Sequence, residues 1–186
     1  MTAIKLFTRP FYFLRHGETE LNANRLVAGS IDTELTAAGR QQARDAAEVL
    51  ARCAIDGIYS SPLRRARDTA VPVAEKLGLD VVIVPELSER HWGALEGQPR
   101  GSRVRGVMPE GAESTADFMA RVHSGLARIS AEAPLIVGHS GVFRVLCRTL
   151  GIMETEAPVT NALPLRLEPS SAGWIVVSLT DTGSTS

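Results

Sequence analysis

Lysine is nearly missing from this chain of 186 residues, with two against eighteen arginines. Where arginine is so common, no single one carries weight, and only a cluster of them bears on function. Cysteine is as scarce. Cys53 and Cys147 lie far apart, without CxxC or Cys/His spacing and inside amphipathic helical patterns. That points to buried free thiols and away from a disulfide or a zinc site. No apolar run reaches membrane-spanning length. The first ten residues, Met1 to Pro10, lack the apolar core of a signal peptide, so a cytoplasmic protein is expected. Strong charge of one sign is missing too: a formal net charge of −1 argues against nucleic acid or an anionic membrane as partner. There is no internal repeat and no interdomain linker. Residues 1–186 are therefore expected to form one domain, with 180–186 a frayed, disordered tail.

What remains is an ordinary globular composition, 44% hydrophobic and 22% charged, at a size that buries roughly 70% of the unfolded surface. Short apolar runs at 11–14, 55–59, 81–84 and 135–137 read as strands. Between them lie helical periods at 37–54, 63–78, 114–130 and 142–150. Thr36 is the expected N-cap of the first, with Ala43, Ala46, Ala47 and Leu50 on its inner face. Pro72 is expected to kink or split the second helix, and Gly78 to close it. His123, beside the stripe of Phe118, Val122, Leu126 and Ile129, reads as an ordinary surface or half-buried residue. Segment 85–111 interleaves glycine, proline and arginine without a period, which marks a long functional loop. The runs 163–167 and 174–179 read as an antiparallel hairpin at a sheet edge. Strands alternating with helices predict a three-layer α/β/α fold with a mostly parallel central sheet and an antiparallel edge.

The chemistry gathers where the strands stop. Phe11-Tyr12-Phe13-Leu14 gives way abruptly to Arg15-His16-Gly17, a triplet with no packing use. Residues just past a buried strand leave the sheet at its carboxyl edge, where open α/β sheets bind ligands. Arg65, Glu89 and His139 follow the other three strands, so four strand ends deliver reactive groups to one edge. Two histidines, at least two arginines and one glutamate describe a pocket for a dianion, because guanidinium is a permanently charged planar fork that matches phosphate oxygens. The clustered aspartates or P-loop of metal-dependent phosphoryl transfer are lacking, so neither metal nor cofactor is expected. Gly138-His139-Ser140-Gly141 is no nucleophile elbow either, since Ser140 does not have glycine two residues away on both sides. The expected nucleophile is a histidine.

Arg15-His16-Gly17-Glu18-Thr19 resembles the signature of the histidine phosphatase superfamily, in its phosphoglycerate-mutase-like branch. The resemblance continues in order along nearly the whole chain. It runs through Asn22, Gly29-x-x-Asp32-x-x-Leu35-Thr36-x-x-Gly39, Ser61-Pro62-Leu63-x-Arg65-Ala66-x-x-Thr69, Glu89-Arg90-x-x-Gly93-x-x-x-Gly97, Gly111-x-Glu113-Ser114 and Gly138-His139. It implies a phosphoglycerate mutase-like fold, with His16 as a nucleophile that forms a phosphohistidine. Arg15, Arg65 and His139 would hold the phosphoryl oxygens, and Glu89 would donate a proton to the leaving oxygen. Such a nucleophile needs one bare ring nitrogen and its other N–H held, typically by a backbone carbonyl. Burial beside a bound dianion would raise the Glu89 carboxyl and keep its proton. Asn22, Gly29, Arg90 and Ser140 are the candidate substrate contacts. Arg64 is left to solvent, and Trp92 is either a pocket wall or a loop anchor. Ala28 stands where family members commonly have a polar residue.

Mutases of that family share a longer basic insertion after the glutamate motif, which clamps a carboxylate and excludes water. Here Glu89 and His139 are only 50 positions apart (139 − 89), and one helix and one strand fill most of that interval. The expected activity is therefore a metal-independent phosphatase that releases inorganic phosphate from a small phosphorylated metabolite. A cofactor-dependent phosphoglycerate mutase is the alternative. A protein phosphohistidine phosphatase in signalling ranks lower, because compact members of that kind lack the donor glutamate. Arg100, Arg103 and Arg105 read either as a solvated basic loop or as a grip on a second anionic group. The edge hairpin leaves room for a homodimer.

Overall fold

The computed structural model describes residues 8–104, 106–153 and 159–179. Arg105 and the tail expected at 180–186 lie outside the described residues. Six strands form one sheet: β1 (Phe11–Arg15), β2 (Gly57–Ser60), β3 (Val81–Ile83), β4 (Pro134–Gly138), β5 (Pro164–Ser170) and β6 (Gly173–Ser178), in the order β3-β2-β4-β1-β5-β6. The first four are parallel, and β5 and β6 add an antiparallel edge.

Helices α2 (Ala37–Leu50) and α3 (Arg64–Leu77) cover one face, α4 (Thr115–Leu126) and α5 (Ser140–Leu150) the other. Alternation along β1 divides the core between them. Phe11 and Phe13 meet Phe118, Val122, Phe143 and Leu146 on one side; Tyr12 and Leu14 meet Leu50, Ala66, Ala70 and Val73 on the other. A strand apolar at every position is what such a doubly covered sheet demands. Both cysteines are free, Cys147 buried and Cys53 half-buried. Among the described residues no helix is long and apolar enough to cross a membrane.

The structure departs from the sequence pattern in several places. Pro72 sits inside an unbroken α3. It removes one backbone hydrogen bond, and the buried face formed by Ala66, Thr69, Ala70 and Val73 holds the helix through that loss. Helix α4 stops at Leu126, and tighter turns carry the chain to Ile129 through bonds from Arg128 N–H to Gly125 O and from Ile129 N–H to Leu126 O. The long loop is built partly of single 3₁₀ turns at Pro85–Leu87, Gly93–Leu95 and Arg100–Ser102. A short helix, α1 (Glu20–Ala23), was not anticipated. Thr19 caps it, and the Asn22 side chain answers with a bond from the Thr19 N–H.

Register is what positions the site. Arg15 lies opposite Gly138 and Ser60 opposite Val137. The chain therefore leaves β1, β2 and β4 at one level, delivering His16, Ser61 and His139 side by side. Close backbone packing then fixes the loop after β1. A Cβ on Gly17 would lie 2.4 Å from the Gly39 carbonyl oxygen, and one on Gly39 would lie 2.1 Å from that of Glu18. Alanine at 39 would ordinarily favour a helix by up to about 1 kcal/mol. Because that contact is with backbone, Gly39→Ala is expected instead to destabilise by about 1–3 kcal/mol. Urea unfolding with an unchanged m value checks this; a stabilised variant would mean the loop shifts freely.

Candidate active site

His16 is 3% exposed. Its Nδ1 lies 2.7 Å from the Gly17 carbonyl oxygen, which can only accept, so Nδ1 carries the proton and Nε2 is bare. The backbone around it is held from three elements. His16 N–H donates to Gly138 O, Gly17 N–H donates to Thr69 Oγ1 at 3.0 Å, and Asn161 Nδ2 donates to His16 O at 2.9 Å. The Thr69 hydroxyl donates in turn to Arg65 O at 2.7 Å, tying the loop after β1 to α3.

Arg65 is fully buried, a rarity for arginine. Its Nη1 and Nη2 donate to Ile31 O at 2.6 Å and Gly29 O at 2.7 Å. Arg15 Nη1 donates to Val159 O at 2.9 Å. Carbonyls orient these guanidiniums without cancelling their charge. His139, also fully buried, lies with its ring centroid 5.2 Å from that of His16, and its Nε2 is 2.7 Å from Ser61 Oγ. Three buried nitrogens here have no hydrogen-bond partner: Arg15 Nε, Arg65 Nε and His139 Nδ1. Buried polar atoms without a partner are rare in folded proteins. Three on residues of one site indicate a place built for an acceptor-rich ligand.

Glu89 arrives from the loop after β3. Its Oε2 accepts the Gly141 N–H at 3.0 Å and the Ser140 hydroxyl at 3.4 Å, while Oε1 accepts the Arg90 N–H at 2.8 Å. Gly141 is glycine because a Cβ there would lie 2.0 Å from Glu89 Oε1. Arg121 braces the segment from behind, with Nη1 on Glu86 O and Ser88 O and its remaining donors on the Glu113 carboxylate.

Arg15, His16, Arg65 and Glu89 line one cavity of about 260 Å³ together with Asn22, Gly29, Ser140 and Trp92. His139 is packed beside His16 in the buried layer. Arg90 is placed elsewhere: its Nε and Nη2 donate to Glu113 O at 2.9 and 2.7 Å, and it lines an adjoining cavity. Arg90 thus belongs to the loop's framework. Trp92 is both wall and anchor, since the Arg90 and Arg103 guanidiniums lie 4.5 and 4.3 Å from its ring centre while the ring faces the cavity. Arg64 is exposed and paired with Glu34. Arg100 and Arg103 line the cavity with Arg144. His123 bonds Thr149 on the outer surface, away from the site.

Burial, reinforced by the Arg65 and Arg15 guanidiniums, holds His16 well below the usual histidine range. Burial and Arg65 do the same for His139, so both imidazoles are neutral at neutral pH. Burial and the nearby Arg100 bring Arg15 down to about 10, which leaves it charged.

The histidine phosphatase superfamily (branch 1) family model matches residues 11–182. The chain belongs to that superfamily. Among relatives, phosphoglycerate mutase-like protein 4 of Arabidopsis thaliana is 38% identical over 72% of this chain and 67% of its own length. A glucosyl-3-phosphoglycerate phosphatase of Mycobacterium tuberculosis is 34% identical over 91% of this chain and 85% of its own. Among solved structures, an alpha-ribazole phosphatase from Shigella flexneri superposes with a TM-score of 0.77 at 26% identity, covering 91% and 95% of the two chains.

Ser61, Thr69, Asn161 and Arg121 were missed as parts of this candidate site. Ser61 and Thr69 stood within the motif that carries Arg65, but spacing alone says nothing of their partners. Asn161 and Arg121 carried no signal at all.

Two outcomes follow from these contacts. A methyl at 141 collides with Glu89, so Gly141→Ala should lower turnover by about tenfold or more while leaving the fold intact, as read by steady-state kinetics beside thermal unfolding. Unchanged turnover would show that Glu89 has room to retreat. The second concerns pH. Both imidazoles have folded values below the unfolded value near 6.5, so as pH falls through 6.5 the unfolded chain takes up protons that the folded chain refuses. Stability should therefore fall below pH 6.5, by up to ~1.4 kcal/mol per pH unit for each histidine, until the lowered folded values are reached. Denaturant midpoints between pH 7.5 and 5.5 measure this, and a flat profile would contradict it.

Proposed function

We propose that the chain is a metal-independent phosphatase, a phosphoric monoester hydrolase that cleaves a small phosphorylated metabolite through a phosphohistidine on His16. The observation that most supports this reading is the pairing of a bare, neutral His16 Nε2 with the three orphan donors of Arg15, Arg65 and His139. In this reading the phosphoryl oxygens take up those donors. His16 Nε2 forms a bond to phosphorus as the ester P–O bond breaks, and the electron pair leaves on the alcohol oxygen, which takes a proton from Glu89. Water then attacks the phosphorus and gives a proton to Glu89. The N–P bond breaks, the electron pair returns to Nε2, and inorganic phosphate departs. Fixed cations stabilise the charge on the transferring group, a contribution of about 10³-fold or more for one such arginine.

Five arginines and one carboxylate line the cavity (Arg15, Arg65, Arg100, Arg103 and Arg144 against Glu89). That lining repels a divalent cation and suits a dianion. The named relatives include phosphatases of phosphorylated small molecules, which agrees with the assignment. Arg100, Arg103 and Arg144 stand at the rim and are exposed, so they favour a substrate with a second anionic group. A phosphoglycerate mutase is the second reading, favoured by the mutase-like relative. It needs water kept from the phosphohistidine, and an exposed rim provides little exclusion. We place the enzyme in the cytoplasm as a single domain.

Brief incubation with a radiolabelled phosphomonoester, quenched in alkali, should give an acid-labile label that maps to His16 and is absent from His16→Ala. Chelator should leave phosphate release unchanged. Interconversion of phosphoglycerates that depends on a bisphosphate primer, with negligible release of phosphate, would decide for the mutase.

A further inference from the structure

Ser61 takes no part in the reaction above, yet it is fully buried at the end of β2, directly against His139. Its Oγ accepts the Leu63 N–H at 3.3 Å and lies 2.7 Å from His139 Nε2. Among the described residues that imidazole nitrogen is the one acceptor within reach of the Ser61 hydroxyl proton. The opposite arrangement, with the proton on Nε2, would make the serine accept twice and bury its own proton unpaired, which is unfavourable. It would also leave Nδ1 as a bare lone pair, unable to meet an anionic oxygen.

We propose that Ser61 fixes the tautomer of His139, donating to Nε2 so that the proton resides on Nδ1 and a neutral imidazole offers an N–H to a phosphoryl oxygen. Ser61 is thus a positioning residue, and the inference rests on the reading of His139 as an oxygen holder. His139 Nδ1 is one of the three orphan nitrogens, and only the Nδ1–H tautomer makes it a donor without charging the ring. An imidazolium would donate from both nitrogens and need no serine. Burial and Arg65 disfavour that form, so the tautomer decides what the ring can do. The same logic governs His16 through a different partner: the Gly17 carbonyl puts its proton on Nδ1 as well, but there the bare Nε2 is the working atom. One site thus uses two histidines of the same tautomer with opposite ends exposed to the chemistry.

The test is direct. In ¹⁵N-resolved imidazole spectra of the wild-type protein at neutral pH, with His139 assigned by the loss of its signals in His139→Gln, Nδ1 should be protonated and Nε2 bare. The reverse pattern overturns the proposal without any serine variant. Ser61→Ala should lose that signature and lower kcat for an aryl phosphomonoester by about tenfold to a hundredfold, with KM changed less. Ser61→Thr, which keeps the hydroxyl, should retain both. A folded Ser61→Ala with wild-type kcat and tautomer would also overturn it. Should the wild-type enzyme hydrolyse no phosphomonoester, the phosphatase reading fails, and the spectra still decide the tautomer.

Discussion

Cations buried beside two imidazoles, with no ion-pair partner among the described residues, are the constraint on which the site depends. Arg65 is sealed from water and Arg15 largely so, and their charge presses on two imidazoles that are themselves buried. The lowest-energy response is for the imidazoles to stay neutral. A neutral His16 is a nucleophile, and a protonated one is not. The repulsion that makes the free site uncomfortable therefore also keeps it reactive.

Holding those charges in place falls to the scaffold rather than to ion pairs. Backbone carbonyls of Gly29, Ile31 and Val159 aim the guanidiniums, so their charge is oriented and still available. The carbonyl of Gly17 aims the His16 ring. The first turn of α5 supplies the Gly141 N–H and the Ser140 hydroxyl to Glu89. Around the same site the backbone comes closer than a side chain permits at Gly17 and Gly39, and a Cβ at Gly141 would meet the Glu89 carboxylate.

The layering of the fold was legible because its signal is local: runs of apolar residues, a cap at Thr36, a stop at Gly78. The reactive groups were legible because each follows a strand, and strand ends meet at one edge whatever the strand order. What escaped the sequence has partners far along the chain. Asn161 reaches His16 across 145 positions, Ser61 reaches His139 across 78, and Arg121 grips a loop some thirty residues upstream. Pattern and spacing carry no record of such meetings. Arg90 is a different case. It sits in a motif next to Glu89, so adjacency suggested a substrate contact, whereas its guanidinium turns to the Glu113 carbonyl and it lines the adjoining cavity beside Glu89. Pro72 misled for a related reason, since a local rule about one hydrogen bond meets a helix whose buried face is fixed by tertiary packing.

The free pocket is also where the fold is least satisfied. Buried polar groups without partners cost about 1–3 kcal/mol each, and Arg15 Nε, Arg65 Nε and His139 Nδ1 are three such nitrogens in one site. A core selected for stability alone would replace such groups with apolar ones. Their presence makes sense only if the debt is settled by a ligand with several acceptor oxygens. A phosphoryl group in transit has three equatorial oxygens, spreads charge over all of them, and meets donors that need not reorganise. Interactions already oriented before the ligand arrives can strengthen as charge develops, which is the condition for lowering a barrier rather than merely binding tightly. The instability stored at this edge of the sheet and the catalysis proposed for it are therefore the same arrangement of donors, viewed without and with the phosphoryl group.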